Sequence, residues 1–99
     1  MMLVAEVRTA KGQVLGRLFA HEKFNPVLLG IDIEMFPMLG SIDPYGDTAF
    51  NYLQVQRFLV EIQTYERDEA GFDEFLRDLE VFCSEALRKP HRFLWFVGD

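Results

Sequence analysis

The sequence predicts one α+β domain, in which an N-terminal hairpin and a C-terminal strand share a small antiparallel or mixed sheet and two helices pack on one face. Three observations predict this class. Aliphatic residues alternate near the N-terminus, apolar residues recur three and four apart in the second half, and an unbroken apolar run occupies residues 93–97. The length of 99 residues suits a single domain covering residues 1–99.

The predicted hairpin comprises residues 3–7 and 13–20. Leu3, Ala5 and Val7 share one face, which is typical of a half-buried strand. A polar stretch ending in Gly12 supplies the turn to the second strand. Residues 28–35 also alternate, with Ile31, Ile33 and Met35 against Asp32 and Glu34, and they predict a third strand.

Residues 37–47 contain two prolines and two glycines, so no regular element is expected there. The first helix is predicted from about Ala49 to Glu66 with Asp47 or Thr48 as its N-cap, although residues 48–50 also suit an extended segment. Its apolar residues recur three and four apart and are expected in the core; they are Phe50, Leu53, Val55, Phe58, Leu59, Ile62 and Tyr65.

The second helix is predicted to begin at Phe72 and to end at or before Lys89, because Pro90 stops it. Acids begin it and bases end it, as the helix dipole favours. Its expected core residues are Phe72, Phe75, Leu76, Leu79, Phe82, Cys83, Ala86 and Leu87. The final strand, residues 93–97, is apolar on both faces, so it is expected to be covered on both sides or to pair centrally.

The net charge of -6 comes from 16 acidic and 10 basic residues. Phosphate backbones repel such a protein, which argues against nucleic-acid binding, whereas a basic protein would be attracted. The single cysteine excludes an intramolecular disulfide and suits a reducing compartment. Glu6 interrupts the N-terminal apolar residues too early for a signal sequence, and no apolar run approaches the ~20 residues that span a bilayer. A cytoplasmic protein without membrane contact is therefore expected.

Candidate catalytic and metal-binding residues are sparse. Neither His21 nor His91 has a cysteine, histidine or acid nearby at ligand spacing. Cys83 falls on the apolar stripe of the second helix, where a small hydrophobe is expected rather than a nucleophile. Neither a phosphate-binding glycine loop nor a nucleophile elbow occurs. No catalytic residue, cofactor or metal ligand is assigned.

Four acids admit two interpretations. Asp32 and Glu34 lie on the predicted third strand, and Asp43 and Asp47 flank Pro44-Tyr45-Gly46. They would bind a cation or act as an acid–base pair if they converged. The structural interpretation is preferred, in which Asp43 forms an Asx turn, Asp47 caps the helix, and the other two face water.

Phe36, Met38 and Tyr45 lie in or beside the same breaker-rich loop. They either form an exposed patch rimmed by acids, a composition found at binding surfaces, or fold onto the core, which is favoured. The candidate partner-binding residues are Phe36, Asp43, Tyr45 and Asp47.

A motif in the centre of the chain resembles a family of small uncharacterised bacterial proteins. It consists of Gly40-Ser41-Ile42-Asp43-Pro44-Tyr45-Gly46-Asp47-Thr48, followed by Phe50-Asn51, Leu53-Gln54 and the aromatic strand leading to Gly98-Asp99. The resemblance covers about the C-terminal two thirds of the chain. It implies no activity and no catalytic residue, but it implies that residues 43–54 matter as a structural or binding element.

These observations favour a non-enzymatic interaction domain, toxin-neutralising (immunity-like) or regulatory, that binds a basic protein through an acidic and aromatic surface. Two alternatives stay open. One is a small enzyme or metal-binding domain in which Asp32, Glu34, Asp43 and Asp47 share a pocket. The other is a homodimer formed through a sheet edge or through the patch from Phe36 to Tyr45.

Overall fold

The computed structural model describes residues 3–65 and 72–98. Its elements, in chain order, are β1 (Val4–Arg8), β2 (Val14–Phe19), a 3-10 helix (Leu39–Ser41), β3 (Asp47–Phe50), α1 (Tyr52–Thr64), α2 (Phe72–Ala86) and β4 (Phe93–Val97). The predicted α+β class, with an N-terminal hairpin and a C-terminal strand in one sheet, is confirmed.

The four strands form one antiparallel sheet in the order β2-β1-β4-β3. β4 pairs on both edges, with Arg8 of β1 opposite Phe93 and with Asp47 of β3 opposite Val97. Central pairing of the last strand is therefore confirmed, and it explains why its sequence is apolar throughout.

Both helices cover the same face of the sheet. That face carries Ala5 and Val7 of β1 with Leu94 and Phe96 of β4, all of them buried. The ring of Phe58 on α1 lies edge-on to that of Phe96, with centroids 5.5 Å apart. A core of this kind, rich in buried aromatic rings, supplies most of the free energy that holds a small domain together.

The opposite face of the sheet has no helix over it within the described residues. Glu6 of β1 is nevertheless buried there, because Arg8 and Arg17 close over it with guanidinium nitrogens 2.6 Å and 2.8 Å from its carboxylate oxygens. Arg8 also lies over the Trp95 ring, 4.2 Å from its centroid. These charged and aromatic side chains shield the outer side of the central strands.

The predicted third strand over residues 28–35 is wrong, because side chains hold this segment in turns. The Asn25 carboxamide oxygen accepts the N–H groups of Val27 and Leu28, at 3.0 Å and 3.2 Å. The Asp32 carboxylate accepts the Glu34 N–H at 2.9 Å. Local bonds of this type compete with strand pairing. Asp32 and Glu34 therefore do not share a strand face.

The first helix begins later than the capping prediction placed it. Residues 47–50 form β3, so the extended alternative for residues 48–50 is correct and Asp47 and Thr48 are not caps. The N-cap is Asn51, whose side chain accepts the Gln54 N–H at 3.0 Å while the Gln54 side chain accepts the Asn51 N–H at 2.9 Å. This reciprocal pair is a capping box, and its spacing of three was readable in the sequence.

One further difference from the prediction lies in residues 37–47. The segment expected to be irregular contains one turn of 3-10 helix at Leu39–Ser41. α2 ends at Ala86, in agreement with the expected end at or before Lys89. The predicted break after the first helix, residues 67–71, lies outside the described residues. Within the described residues, no helix has the length and apolarity that crossing a membrane requires.

Candidate functional site

The buried carboxylate of Glu61 on α1 forms hydrogen bonds with the segment before β3. Glu61 is 5% exposed and lies on the core side of α1. It accepts the N–H groups of Met38 and Leu39, at 3.0 Å and 2.9 Å, and so caps the start of the 3-10 helix. The Arg57 guanidinium lies 3.5 Å from the same carboxylate. These contacts determine where the preceding residues, Met35 and Phe36, lie against the helix.

We call the depression between Met35 and the outer side of α1 the Met35 groove. It has a volume of about 520 Å³, and its lining includes Met35, Leu53, Gln56, Arg57, Val60 and Thr64. Met35, Leu53 and Val60 are 69%, 71% and 58% exposed. Three large, exposed apolar side chains therefore line one place on the surface.

A second depression of about 500 Å³ adjoins the Met35 groove, because Met35 and Thr64 line both. Phe36 lines it and meets the Tyr65 ring edge-on, with centroids 5.5 Å apart and an interplanar angle of 82°. Asp32 is also in its lining. The candidate residue Phe36 is thus half-buried and forms part of the wall of this composite surface.

The segment that leads to the groove combines apolar and acidic side chains, and the groove itself is lined by Arg57, which pairs with Glu61. Asp32, Ile33, Glu34 and Met35 follow one another in the chain, and all four are exposed. Asp32 uses one carboxylate oxygen on a local backbone N–H, which leaves its charge at the surface. This arrangement suits a partner that offers apolar side chains flanked by basic ones.

The other three candidate residues lie on a separate feature, the Tyr45 turn, which comprises residues 43–47. The Asp43 carboxylate accepts the Tyr45 N–H at 2.9 Å, as the Asx interpretation predicted, and the Thr48 hydroxyl accepts the Asp43 N–H at 2.9 Å. Pro44 is buried, whereas Tyr45 is 63% exposed. Tyr45 is therefore exposed on this turn, and the exposed carboxylates of Asp43 and Asp47 precede and follow it in the chain.

Gly98 holds the Tyr45 turn against the end of β4. Its N–H donates to the Gly46 carbonyl at 2.8 Å. A β-carbon at position 98 would lie 2.6 Å from the carbonyl carbon of Pro44 and 2.8 Å from the carbonyl oxygen of Gly46. Two separate parts of the motif that carried the family resemblance, the central turn and Gly98, are thus in direct contact.

The structure divides the candidate residues between two places. Phe36 and Met38 are half-buried and pack against the core, whereas Tyr45 is exposed on its turn. Asp32 and Asp43 each bind backbone N–H groups of their own segments. Across residues 3–65 and 72–98, no group of three or more His, Cys, Asp or Glu side chains could hold a metal ion.

Sequence periodicity does not predict the Met35 groove, because it places Leu53 in the core, and that prediction is wrong. The buried stripe of α1 contains Val55, Phe58 and Ile62. Leu53 and Val60 are seven residues apart, so they lie on one side of the helix, two turns from each other. This second, narrower apolar stripe was the available signal for an exposed site.

Cys83 is buried on α2 and forms no disulfide. Burial, together with the nearby charge of Glu80, raises the pKa of the Cys83 thiol to about 12. The thiol is therefore protonated at neutral pH, and the expectation of a small hydrophobe in the core agrees with its position.

Comparison of the chain with protein-family models, with curated proteins and with solved structures gives no match. The resemblance to a small bacterial family stays a prediction, and the function is inferred from the surfaces described above.

Proposed function

We propose that this protein is a non-enzymatic interaction domain that binds a basic partner protein through the Met35 groove. The observation that carries the proposal is the convergence of Met35, Leu53 and Val60, each more than half exposed, on one groove. Contiguous apolar surface of this kind is typical of binding sites in proteins whose core is otherwise complete.

Charge supports a basic partner. The protein carries a net charge of -6, and exposed Asp32 and Glu34 lie in the segment that ends at the groove. A partner with an apolar side chain in the groove and Lys or Arg beside it would satisfy both parts of the surface. Opposite charges would also accelerate the encounter, and salt would slow it.

The groove is held in place before any partner arrives. The bonds from Met38 and Leu39 to Glu61 anchor one wall on α1, and α1 itself provides the other. A preformed surface loses little conformational entropy on binding, so more of the contact energy is available as affinity.

More specifically, we propose that the domain acts in the cytoplasm, where it neutralises a toxin or regulates its partner. The acidic surface suits neutralisation of a basic protein, and the single cysteine is a free thiol, as is usual in reducing compartments. A basic toxin as the captured partner would support neutralisation, and a basic housekeeping protein would support regulation.

The test begins with capture from the native host, followed by titration calorimetry with the purified partner. The variant Met35→Ala/Leu53→Ala/Val60→Ala should weaken binding about a hundredfold, since apolar side chains central to an interface carry much of its energy. A matched control, Phe19→Ala/Val27→Ala/Val81→Ala, removes equally exposed apolar side chains elsewhere and should bind as the natural protein does.

The acidic component is tested with Asp32→Asn/Glu34→Gln against Glu74→Gln/Asp78→Asn, which removes two exposed charges from α2 instead. Asn keeps the oxygen that accepts the Glu34 N–H. The first pair should weaken binding and flatten its salt dependence more than the second.

Three outcomes would contradict the proposal. Unchanged binding by the variant Met35→Ala/Leu53→Ala/Val60→Ala would show that the groove is not the binding site. Loss of binding only with Asp43→Ala/Tyr45→Ala/Asp47→Ala would assign the role to the Tyr45 turn. A mass that doubles with concentration in light scattering, and returns to that of one chain in the groove variant, would show that a second copy occupies the groove.

A further inference from the structure

A basic cleft lies where the β1–β2 turn meets the link between α2 and β4. Arg8 at the end of β1 is opposite Phe93 at the start of β4, so residues 9–13 and 89–92 come together. The cleft has a volume of about 430 Å³ and is lined from both segments and by Leu15 of β2. It is independent of the Met35 groove, which is formed by α1 and the segment before the 3-10 helix.

Several basic residues line this cleft. The residues that line it include Lys11, Lys89, His91 and Arg92. Among the described residues that form its walls, none is acidic. Three of the ten Lys and Arg residues of a protein with net charge -6 thus line one open cleft. Walls of low dielectric strengthen the attraction that such a cavity exerts on an anion.

A hydrogen bond to the backbone of the last turn of α2 holds the Arg92 side chain in position. The Arg92 Nη1 donates to the Glu85 carbonyl at 2.8 Å, which uses one of the five donors of the guanidinium. The Glu85 carboxylate pairs instead with Arg88, at 3.4 Å. An anchored guanidinium is prepared for an oxyanion, because its planar array of donors matches the spacing of the oxygens.

Most of the lining surface of the cleft is apolar. Ala10 lines it, and so does Leu15, which is 44% exposed. We propose that the cleft binds a small organic phosphate, with the phosphoryl group among Lys11, Lys89 and Arg92 and the hydrocarbon part on Leu15. A doubly charged phosphoryl group suits several cations, and a long polyphosphate backbone is disfavoured by the acidity of the rest of the protein.

The test is titration of the isotope-labelled protein with phenyl phosphate and, separately, with inorganic phosphate, followed by amide chemical shifts. We expect saturable shifts in residues 9–13 and 89–92 and tighter binding of phenyl phosphate. Leu15→Ala should weaken phenyl phosphate alone, which separates an organic phosphate from the free ion as the ligand. If Leu15→Ala weakens the binding of both compounds equally, the proposed contact between Leu15 and the hydrocarbon part of the ligand is wrong.

Lys11→Gln/Lys89→Gln removes two exposed cations from the cleft and should weaken phenyl phosphate about tenfold. Lys23→Gln/Arg77→Gln makes the same change of charge at exposed positions elsewhere and should leave binding unchanged. The proposal is overturned by equal weakening in both variants, by absence of saturable binding up to about 10 mM, or by a single-stranded RNA that displaces phenyl phosphate from the same residues.

Discussion

Glu61 and Leu39 are joined by a buried hydrogen bond in which the Leu39 N–H donates to Glu61 Oε1 at 2.9 Å. Met38 donates its N–H to the same carboxylate at 3.0 Å. One side chain of α1 thus satisfies two backbone groups of a segment more than twenty residues earlier in the chain. The Met35 groove depends on this attachment, because its non-helical wall comes from the residues just before Met38.

Removing this carboxylate should destabilise the protein. Glu61→Ala leaves two inward-facing N–H groups without their acceptor, and we expect a loss of about 2–4 kcal/mol in the free energy of unfolding. Glu61→Gln retains one acceptor oxygen and should lose less. Urea denaturation measures both, with the exposed Gln63→Ala on the same helix as a control expected to change stability by less than about 0.5 kcal/mol. Equal losses for Glu61→Ala and Gln63→Ala would refute this role.

Glu6 makes stability depend on pH. Burial raises the pKa of Glu6, but hydrogen bonds from Arg17 and Arg8 and the charges of both outweigh burial, so the pKa lies below its usual 4.5. A carboxyl group with a depressed folded-state pKa stabilises the fold above its unfolded-state pKa, and the contribution disappears as pH falls through the folded-state pKa.

The cost of Glu6→Gln should therefore be largest at neutral pH and shrink once the pH falls below about 4.5. Urea denaturation of both proteins across this range gives the difference in unfolding free energy at each pH. Glu22→Gln, at an exposed position shortly after β2, is the control. Its difference in unfolding free energy should change less with pH. A difference for Glu6→Gln that is constant with pH would contradict the ion-pair explanation.

Gly98→Ala should displace the Tyr45 turn. The added β-carbon would lie 2.6 Å from the carbonyl carbon of Pro44 and 2.8 Å from the carbonyl oxygen of Gly46, so the backbone must move. We expect a loss of about 1–3 kcal/mol in unfolding free energy, as for other overpacked sites. Amide chemical shifts of residues 43–47 should change with it.

The matched control for this prediction is Gly16→Ala, whose β-carbon would meet the Phe82 ring at an ordinary 3.5 Å. It should cost less than Gly98→Ala and leave the Tyr45 turn undisturbed. A Gly98→Ala protein as stable as the natural one, with unchanged shifts in the turn, would show that the contact is not restrictive.

Cys83 should be unreactive in the folded protein. With its thiol pKa raised to about 12 and its side chain buried, the reactive thiolate is scarce and inaccessible. A disulfide reagent such as Ellman's reagent should modify the native protein at least about a hundredfold more slowly than the urea-unfolded protein at the same pH. Comparable rates would mean that α2 opens readily.

Local spacing in the sequence was enough to predict most of the elements. Apolar residues at alternate positions indicated β1 and β2, and residues three and four apart indicated α2 and its buried Leu76, Leu79 and Cys83. These patterns are informative because side chains on one face of a strand or helix must enter the core together. The central position of β4 was likewise readable from its uninterrupted apolar run.

Other features depend on partners that are distant in the chain. Whether residues 28–35 and 47–50 are strands was decided by local side-chain bonds in the first case and by pairing with β4 in the second. The Met35 groove joins Met35 to Leu53 and Val60, and the basic cleft joins Lys11 to Lys89. Sequence periodicity assigns a side chain to a face of its own element. Which faces are covered, and which exposed side chains become neighbours, follows only from how the elements pack, because those contacts form across the fold.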